Sequence, residues 1–188
     1  MICDLVFAHP RHFLSPGEEL ERYQHHNNDV EDPGYRSFLS KLYIPMIKRI
    51  AVNSMGLDFG SGPGPLLKLM LEEQGHNMSI YDIHYAPDKS VFERQYDFIT
   101  STETVEHLYK PMEELDRLWG CLKPGGILGI MTGLRHKNID FAKWHYIRDD
   151  THVVFFSPDS FCWLGEHWGT APEFIGDSVI LFQKEQFA

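Results

Sequence analysis

The stretch "LDFGSGPGPLLKLML", residues 57–71, sets Gly60, Gly62 and Gly64 between two apolar runs of different character. The run before it, "MGLDF", has the length and composition of a buried strand. The run after it opens at Pro65, a residue suited to the first turn of a helix, and continues as "PLLKLMLEEQ" up to Gly75. Three alternating glycines exceed what a plain strand-to-helix turn needs. They let bare backbone approach a ligand. At the carboxyl end of a parallel strand, such a loop is expected to offer its backbone N–H groups as a polar, partly positive cradle.

Downstream of this unit, strands and helices alternate. "NMSIYDI" reads as a second strand, "YDFITST" as a third, "PMEELDRLWGCL" as a helix and "GILGIMT" as a fourth strand. "SPDSFCWLGEHWG" reads as a helix with Ser157 as its N-cap, and "EFIGDSVILFQ" as two short strands joined at Gly176-Asp177. Upstream, "SPGEELERYQHH" has Ser15, Pro16 and Glu18 placed as a capping box, and "DPGYRSFLSKLYIPMIKRI" starts a second helix at Asp32 and Pro33. Pro45 is expected to kink or end that helix. The pattern predicts an α/β fold: a doubly wound, mostly parallel sheet with an antiparallel C-terminal edge hairpin. One domain of residues 1–188 is expected, with residues 1–54 as a helical lid and 55–188 as the core.

The ligand class follows from what the loop lacks. A dinucleotide fingerprint wants a small residue where Pro65 stands, and the phosphate loop G-x-x-x-x-G-K-[ST] is absent. What fits is acidic-x-G-x-G-x-G, with Asp58 before the glycines. Asp82, at the end of the second strand, is placed to accept hydrogen bonds from both hydroxyls of a ribose, or else to cap the segment that follows. Adenosine ligands of either kind need such a carboxylate.

Further motifs separate the two kinds. "YDFITSTETVEHL" followed by "LKPGGILGIMT" resembles the fourth and fifth strand regions of the class I S-adenosylmethionine-dependent methyltransferases, and the Asp58–Gly64 loop resembles their motif I. "ERYQHHNNDVEDPGYRSFL" and "FAKWHYIRDDTHVVFFS" resemble segments flanking the core in a bacterial subgroup of that superfamily. The resemblance implies Asp58, Gly60, Ser61 and Gly62 around the methionine part of adenosylmethionine, Asp82 on the ribose, Ile83 beside the adenine, and Ser101, Thr102 and Glu103 bordering the methionine part. Glu106 and His107 follow one turn on, His107 as a site residue or a structural hydrogen-bonder. The chain departs from the subgroup twice. "ICDLVF" looks like the end of a cysteine-rich metal-binding segment whose other cysteines are missing, so Cys3 is expected to have no metal role. Only 13 residues separate Asp82 from Tyr96, too few for a full helix and another strand on the adenine side.

The acceptor side has to come from outside these loops. Tyr23, His26 and Tyr35 are candidates from the N-terminal helices, and Trp144, Tyr146 and His152 from residues 132–157. Tyr146 and His152 are the candidates for catalysis, and Tyr23, His26 and Trp144 for acceptor contact. His152 has the pKa to act as general base, with Asp149 or Asp150 to orient it; its structural alternative is the cap of an irregular turn.

Composition limits the partners. Seventeen basic residues against 27 acidic ones give a net charge of −10, which repels a phosphate backbone, so no nucleic-acid partner is expected. No apolar run reaches bilayer-spanning length and no signal peptide is read at the start, so no membrane partner is expected. Cys3, Cys121 and Cys162 are widely spaced, without a C-x-x-C, as in a reduced cytoplasm. Eleven histidines include no H-x-x-x-H, and on spacing no metal site is expected. The reading is a methyltransferase acting on a small or medium-sized acceptor. Its rivals are a non-catalytic adenosylmethionine-binding domain and, disfavoured by Pro65 and the later motifs, a dinucleotide-dependent oxidoreductase.

Overall fold

The computed structural model describes residues 3–23 and 29–186. Six strands form the central sheet: β2 (Met55–Phe59), β3 (Asn77–Tyr81), β4 (Tyr96–Thr102), β5 (Leu122–Met131), β7 (Glu173–Ile175) and β8 (Val179–Gln183), in the order β3-β2-β4-β5-β8-β7. The first four run parallel, and β8 and β7 add an antiparallel edge. Strand order reverses at β2, which pairs with β3 on one side and β4 on the other. In open parallel sheets ligands bind beside such a reversal, at the carboxyl ends of the strands.

Helices cover both faces because the strands are apolar on both. On one face, α2 (Pro33–Ile47) and α3 (Leu66–Glu72) bury Leu39, Leu42, Met46, Leu66 and Met70 against Phe98, Ile127 and Met131. On the other, α4 (Pro111–Gly120) and α5 (Pro158–Trp168) bury Leu115, Leu118, Phe161 and Leu164 against Ile99, Leu128 and Ile130. Alternate residues of β5 therefore serve opposite cores, as the two-residue side-chain period of a strand requires.

The helix ends follow their local chemistry. Ser15 and Glu18 form the expected capping contact ahead of α1 (Pro16–Tyr23), with the Ser15 backbone N–H 2.9 Å from Glu18 Oε2. The Asp32 carboxylate accepts the Gly34 N–H at 2.8 Å, and the Ser157 hydroxyl accepts the Ser160 N–H at 3.2 Å. Pro45 lies inside α2, which ends two residues later at Ile47. Between Asp82 and Tyr96 there is only a short 3-10 turn, Lys89–Glu93, so β4 follows β3 with no further strand.

A two-stranded antiparallel ribbon of β1 (Val6–Phe7) and β6 (Val154–Phe155) lies beside the sheet. Its backbone is stitched to the core where the Val153 N–H donates to the carbonyl of Glu106 at 2.9 Å. That bond carries the preceding residue, His152, to the carboxyl end of β4. No helix among the described residues is long and apolar enough to cross a membrane.

Candidate active site at the strand reversal

A cavity of about 530 Å³ opens at the reversal point, within the usual size range of small-ligand sites. The glycine loop, the residues after β3 and β4, and the first two helices all contribute to its wall.

The loop is tightly knitted. Gly60 has φ +78°, and a Cβ added there would meet the Thr104 side chain at 2.2 Å, so only glycine fits. Its N–H and that of Ser61 both donate to the carbonyl of Tyr81, at 2.7 and 3.2 Å. The Gly62 N–H donates to Asp82 Oδ2 at 2.9 Å. The expected cradle of outward N–H groups is thus not formed by these three residues. Their donors are spent joining β2 to the end of β3; Ser61 also lines the cavity, with its hydroxyl buried and without a hydrogen-bond partner among the described residues.

Asp82 is half-buried on the wall. Its Oδ1 accepts the N–H groups of His84 and Tyr85 at 2.9 and 3.0 Å, and its Oδ2 keeps a lone pair beyond the Gly62 bond. The carboxylate caps its own turn and borders the cavity. Ile83, 70% exposed, offers apolar surface next to it. Behind lie Phe59 and Tyr81, stacked at 5.6 Å.

Asp58 sits below the loop, 2% exposed and off the cavity wall, with Oδ1 accepting the Thr100 hydroxyl at 2.8 Å. Burial is the main cause that raises its pKa to about 6. Ser101 is fully buried within β4 and takes no part in the wall, whereas Thr102, Glu103 and Thr104 do. Glu103 has φ +45°, a left-handed conformation rare for a residue with a side chain.

Glu103 belongs to a buried polar cluster. The Tyr146 hydroxyl is hydrogen-bonded to Glu106 Oε1, accepts the Gly133 N–H at 3.0 Å, and lies 3.3 Å from Glu103 Oε2. Glu106 is fully buried, and its Oε2 accepts the Thr132 hydroxyl at 2.9 Å. One phenolic hydrogen cannot serve two carboxylates at once. Burial first, then the neighbouring Glu106, pushes the Glu103 carboxyl up, and burial pushes Glu106 up as well, so this pair favours holding a proton.

The acceptor-side candidates separate. Tyr23 reaches the wall from α1, its ring 5.4 Å from both His84 and His107. Tyr35 lines it from α2, its hydroxyl pushed up to about 12 by burial. His152 lines it too, with Nδ1 2.7 Å from the Tyr146 carbonyl. Burial holds His152 below the ordinary histidine pKa, so the ring is neutral. Asp150 does not orient it: that carboxylate pairs with Arg22 at 2.8 Å, and Asp149 stands 3.8 Å from His152 Nε2. Tyr146 and Trp144 are corrected. They stack on each other at 4.9 Å, behind the wall and not on it, because Tyr146 is drawn inward by Glu106. His26 lies outside the described residues. Sequence reasoning missed Thr104, which locks Gly60, and the aromatic wall residues Phe59, Tyr81 and Tyr109; apolar and aromatic residues at strand ends carry no signal that distinguishes wall from core.

The wall is acidic. Glu19, Asp82, Glu114 and Asp149 border it besides Glu103, against one ammonium, Lys110, among the described residues.

A family model described as a methyltransferase domain matches residues 32–171. Among solved structures, a 1,6-didemethyltoxoflavin-N1-methyltransferase from Burkholderia thailandensis, with bound 1,6-didemethyltoxoflavin and S-adenosylhomocysteine, superposes with TM-score 0.61 at 15% identity, covering 97% of this chain and 95% of that one. Human N-acetylserotonin methyltransferase in complex with SAM superposes with TM-score 0.60 at 16% identity, covering 92% of this chain and 57% of that one. At these identities the likeness is one of fold. Comparison of the sequence with curated proteins gives no match.

Proposed function

The chain belongs to the methyltransferase domain family and is an adenosylmethionine-dependent methyltransferase; from that premise we propose that the cavity at the strand reversal holds the cofactor at its glycine-loop end and a small or medium-sized acceptor at its His152 end. The observation that carries this reading is the chemistry of the loop. Its N–H groups at Gly60, Ser61 and Gly62 are spent within the protein, so a pyrophosphate finds few donors there, while the acidic wall suits a ligand with an ammonium and a sulfonium. This favours adenosylmethionine over a nicotinamide dinucleotide.

Adenosylmethionine supplies an activated methyl group, and the protein's task is to align, enclose and deprotonate. Ser61 has a hydroxyl with no hydrogen-bond partner among the described residues for the methionine end, the remaining lone pair of Asp82 suits a ribose hydroxyl, and Ile83 suits the adenine face. Alignment of reacting groups supplies ~7–11 kcal/mol, more than a single base contributes. Of residues 1–54, α1 and the first turns of α2 act as the lid, while the rest of α2 belongs to the core: Glu19 and Tyr23 of α1 and Tyr35 and Phe38 of α2 already line the cavity, and the Arg22–Asp150 pair ties α1 to the segment carrying His152. With Nδ1–H donated to Tyr146, His152 keeps its lone pair on Nε2, where it can take the proton an O–H or N–H acceptor loses. Tyr146 and Glu106 position this end of the site and do not touch the ligand. The net charge of −10 argues against a nucleic-acid acceptor.

Calorimetry tests the reading. Adenosylmethionine and adenosylhomocysteine should bind and NAD should not. Tight NAD binding without response to either sulfur ligand overturns it.

A further inference from the structure

The spacing of histidines in the sequence gives no metal site, but the fold assembles one from distant residues. Glu106, His107 and His152 each bring a potential ligand atom to within 4.8 Å of the others. Ligands around one ion sit roughly 3–3.5 Å apart, so the cluster needs only a small contraction. His107 and His152 line the cavity, and Glu106 lies beneath them, fully buried.

Three independent features fit metal ligation. Both rings are held by backbone carbonyls: His107 Nδ1 is 3.0 Å from Thr151 O and His152 Nδ1 is 2.7 Å from Tyr146 O. A carbonyl only accepts, so the hydrogen is on Nδ1 and the lone pair on Nε2, the way protein matrices orient ligating histidines. Glu106 is fixed through both oxygens, by Tyr146 and Thr132, and each oxygen retains acceptor capacity. Finally, Glu106 is a fully buried carboxyl group, and no Lys or Arg forms an ion pair with it among the described residues. A buried carboxylate ordinarily has a cation or a proton to offset its desolvation.

We propose that Glu106, His107 and His152 bind one divalent transition-metal ion at the acceptor end of the cavity. Two imidazoles and one carboxylate suit Mn²⁺, Fe²⁺, Co²⁺ or Zn²⁺ more than the all-oxygen preferences of Mg²⁺ or Ca²⁺. Three protein ligands among the described residues leave positions open, and two of the three belong to the cavity wall, so those positions take an oxygen of the acceptor. The His152 lone pair would then go to the ion instead of a proton, and the bound hydroxyl, made more acidic by the ion, would release its proton to solvent water. The metal site stands on its own geometry; its role toward the acceptor rests on the methyltransferase reading.

Cobalt tests it without any acceptor. Co²⁺ titrated into the purified chain should give ligand-field absorption saturating at a single ion per chain. His152→Ala and His107→Asn should weaken Co²⁺ binding at least ~10-fold, with His145→Ala, which is outside the cluster, unchanged. Glu106→Gln, close in shape to the native side chain, repeats the test should an alanine variant misfold. Acetohydroxamate added to the Co²⁺-loaded protein should shift the spectrum, because it chelates open positions. Absence of saturable Co²⁺ binding, or equal binding in all variants, overturns the site; a saturated spectrum that acetohydroxamate leaves unmoved overturns the acceptor role. Adenosylhomocysteine binding, measured in parallel, separates these failures: its loss in the native chain defeats the methyltransferase reading and leaves the metal result standing.

Discussion

Asp82 Oδ2 accepts the backbone N–H of Gly62 at 2.9 Å, tying the end of β3 to the glycine loop after β2. The same carboxylate is the one proposed to meet the ribose, so the loop's shape and the cofactor's anchor depend on one side chain.

Replacing it should register in both. Asp82→Ala is expected to weaken adenosylhomocysteine binding by ~1.5–3 kcal/mol, the scale of lost hydrogen bonds to a charged group. Calorimetry reads this directly. Native affinity in the variant would take Asp82 off the ribose.

The helical segment ahead of the core should respond to cofactor. Glu19, Tyr23, Tyr35 and Phe38 border the cavity, so filling it adds contacts to α1 and the first turns of α2. Amide hydrogen exchange across these helices should slow when adenosylhomocysteine is added. Protection confined to the glycine loop and the end of β3 would count against a lid.

His152 should separate catalysis from cofactor binding. His152→Ala is expected to lower turnover ~10²–10⁴-fold, using an acceptor found by screening metabolites for methyl uptake, while adenosylhomocysteine affinity stays near native. A folded variant with full turnover would remove His152 from the chemistry, and parallel loss of both would make it structural.

Asp58 predicts a pH effect on stability. Burial raises its folded pKa to about 6 from the ordinary 3.8. A raised folded pKa means the contribution is fully present below about 3.8 and is lost as pH rises through about 6, because the folded protein must then hold a buried charge. The shift corresponds to roughly 3 kcal/mol between those limits. Asp58→Asn lacks that dependence, so the native chain should lose stability relative to the variant as pH climbs from 4 to 7 in urea titrations. Parallel curves would show that Asp58 ionises without cost.

How far the sequence reached depends on the range of the interaction concerned. Caps are local, and Ser15–Glu18, Asp32 and Ser157 do what their spacing implies, since the hydrogen bond spans two or three residues. The strand–loop–helix unit at residues 55–72 and the hairpin at Gly176 are local in the same sense: two- and 3.6-residue periods and positive-φ glycines are written in adjacent residues.

The direction of each polar group was decided by tertiary structure. Whether the N–H groups of Gly60 and Ser61 face a ligand depends on where the Tyr81 carbonyl lies, and that is set by the register of β2 on β3. Tyr146 turns inward because Glu106 and Gly133 draw its hydroxyl, leaving Trp144 to stack behind it. His107 and His152 meet because the Val153 N–H bonds to Glu106 O, a long-range contact that no spacing rule contains. The sequence by itself determined the alternating α/β frame, its caps and its glycine loop, since these arise from neighbours along the chain. Only the tertiary structure decided which side chains share the cavity, because that follows from strand register and from the need of each buried polar group to find a partner.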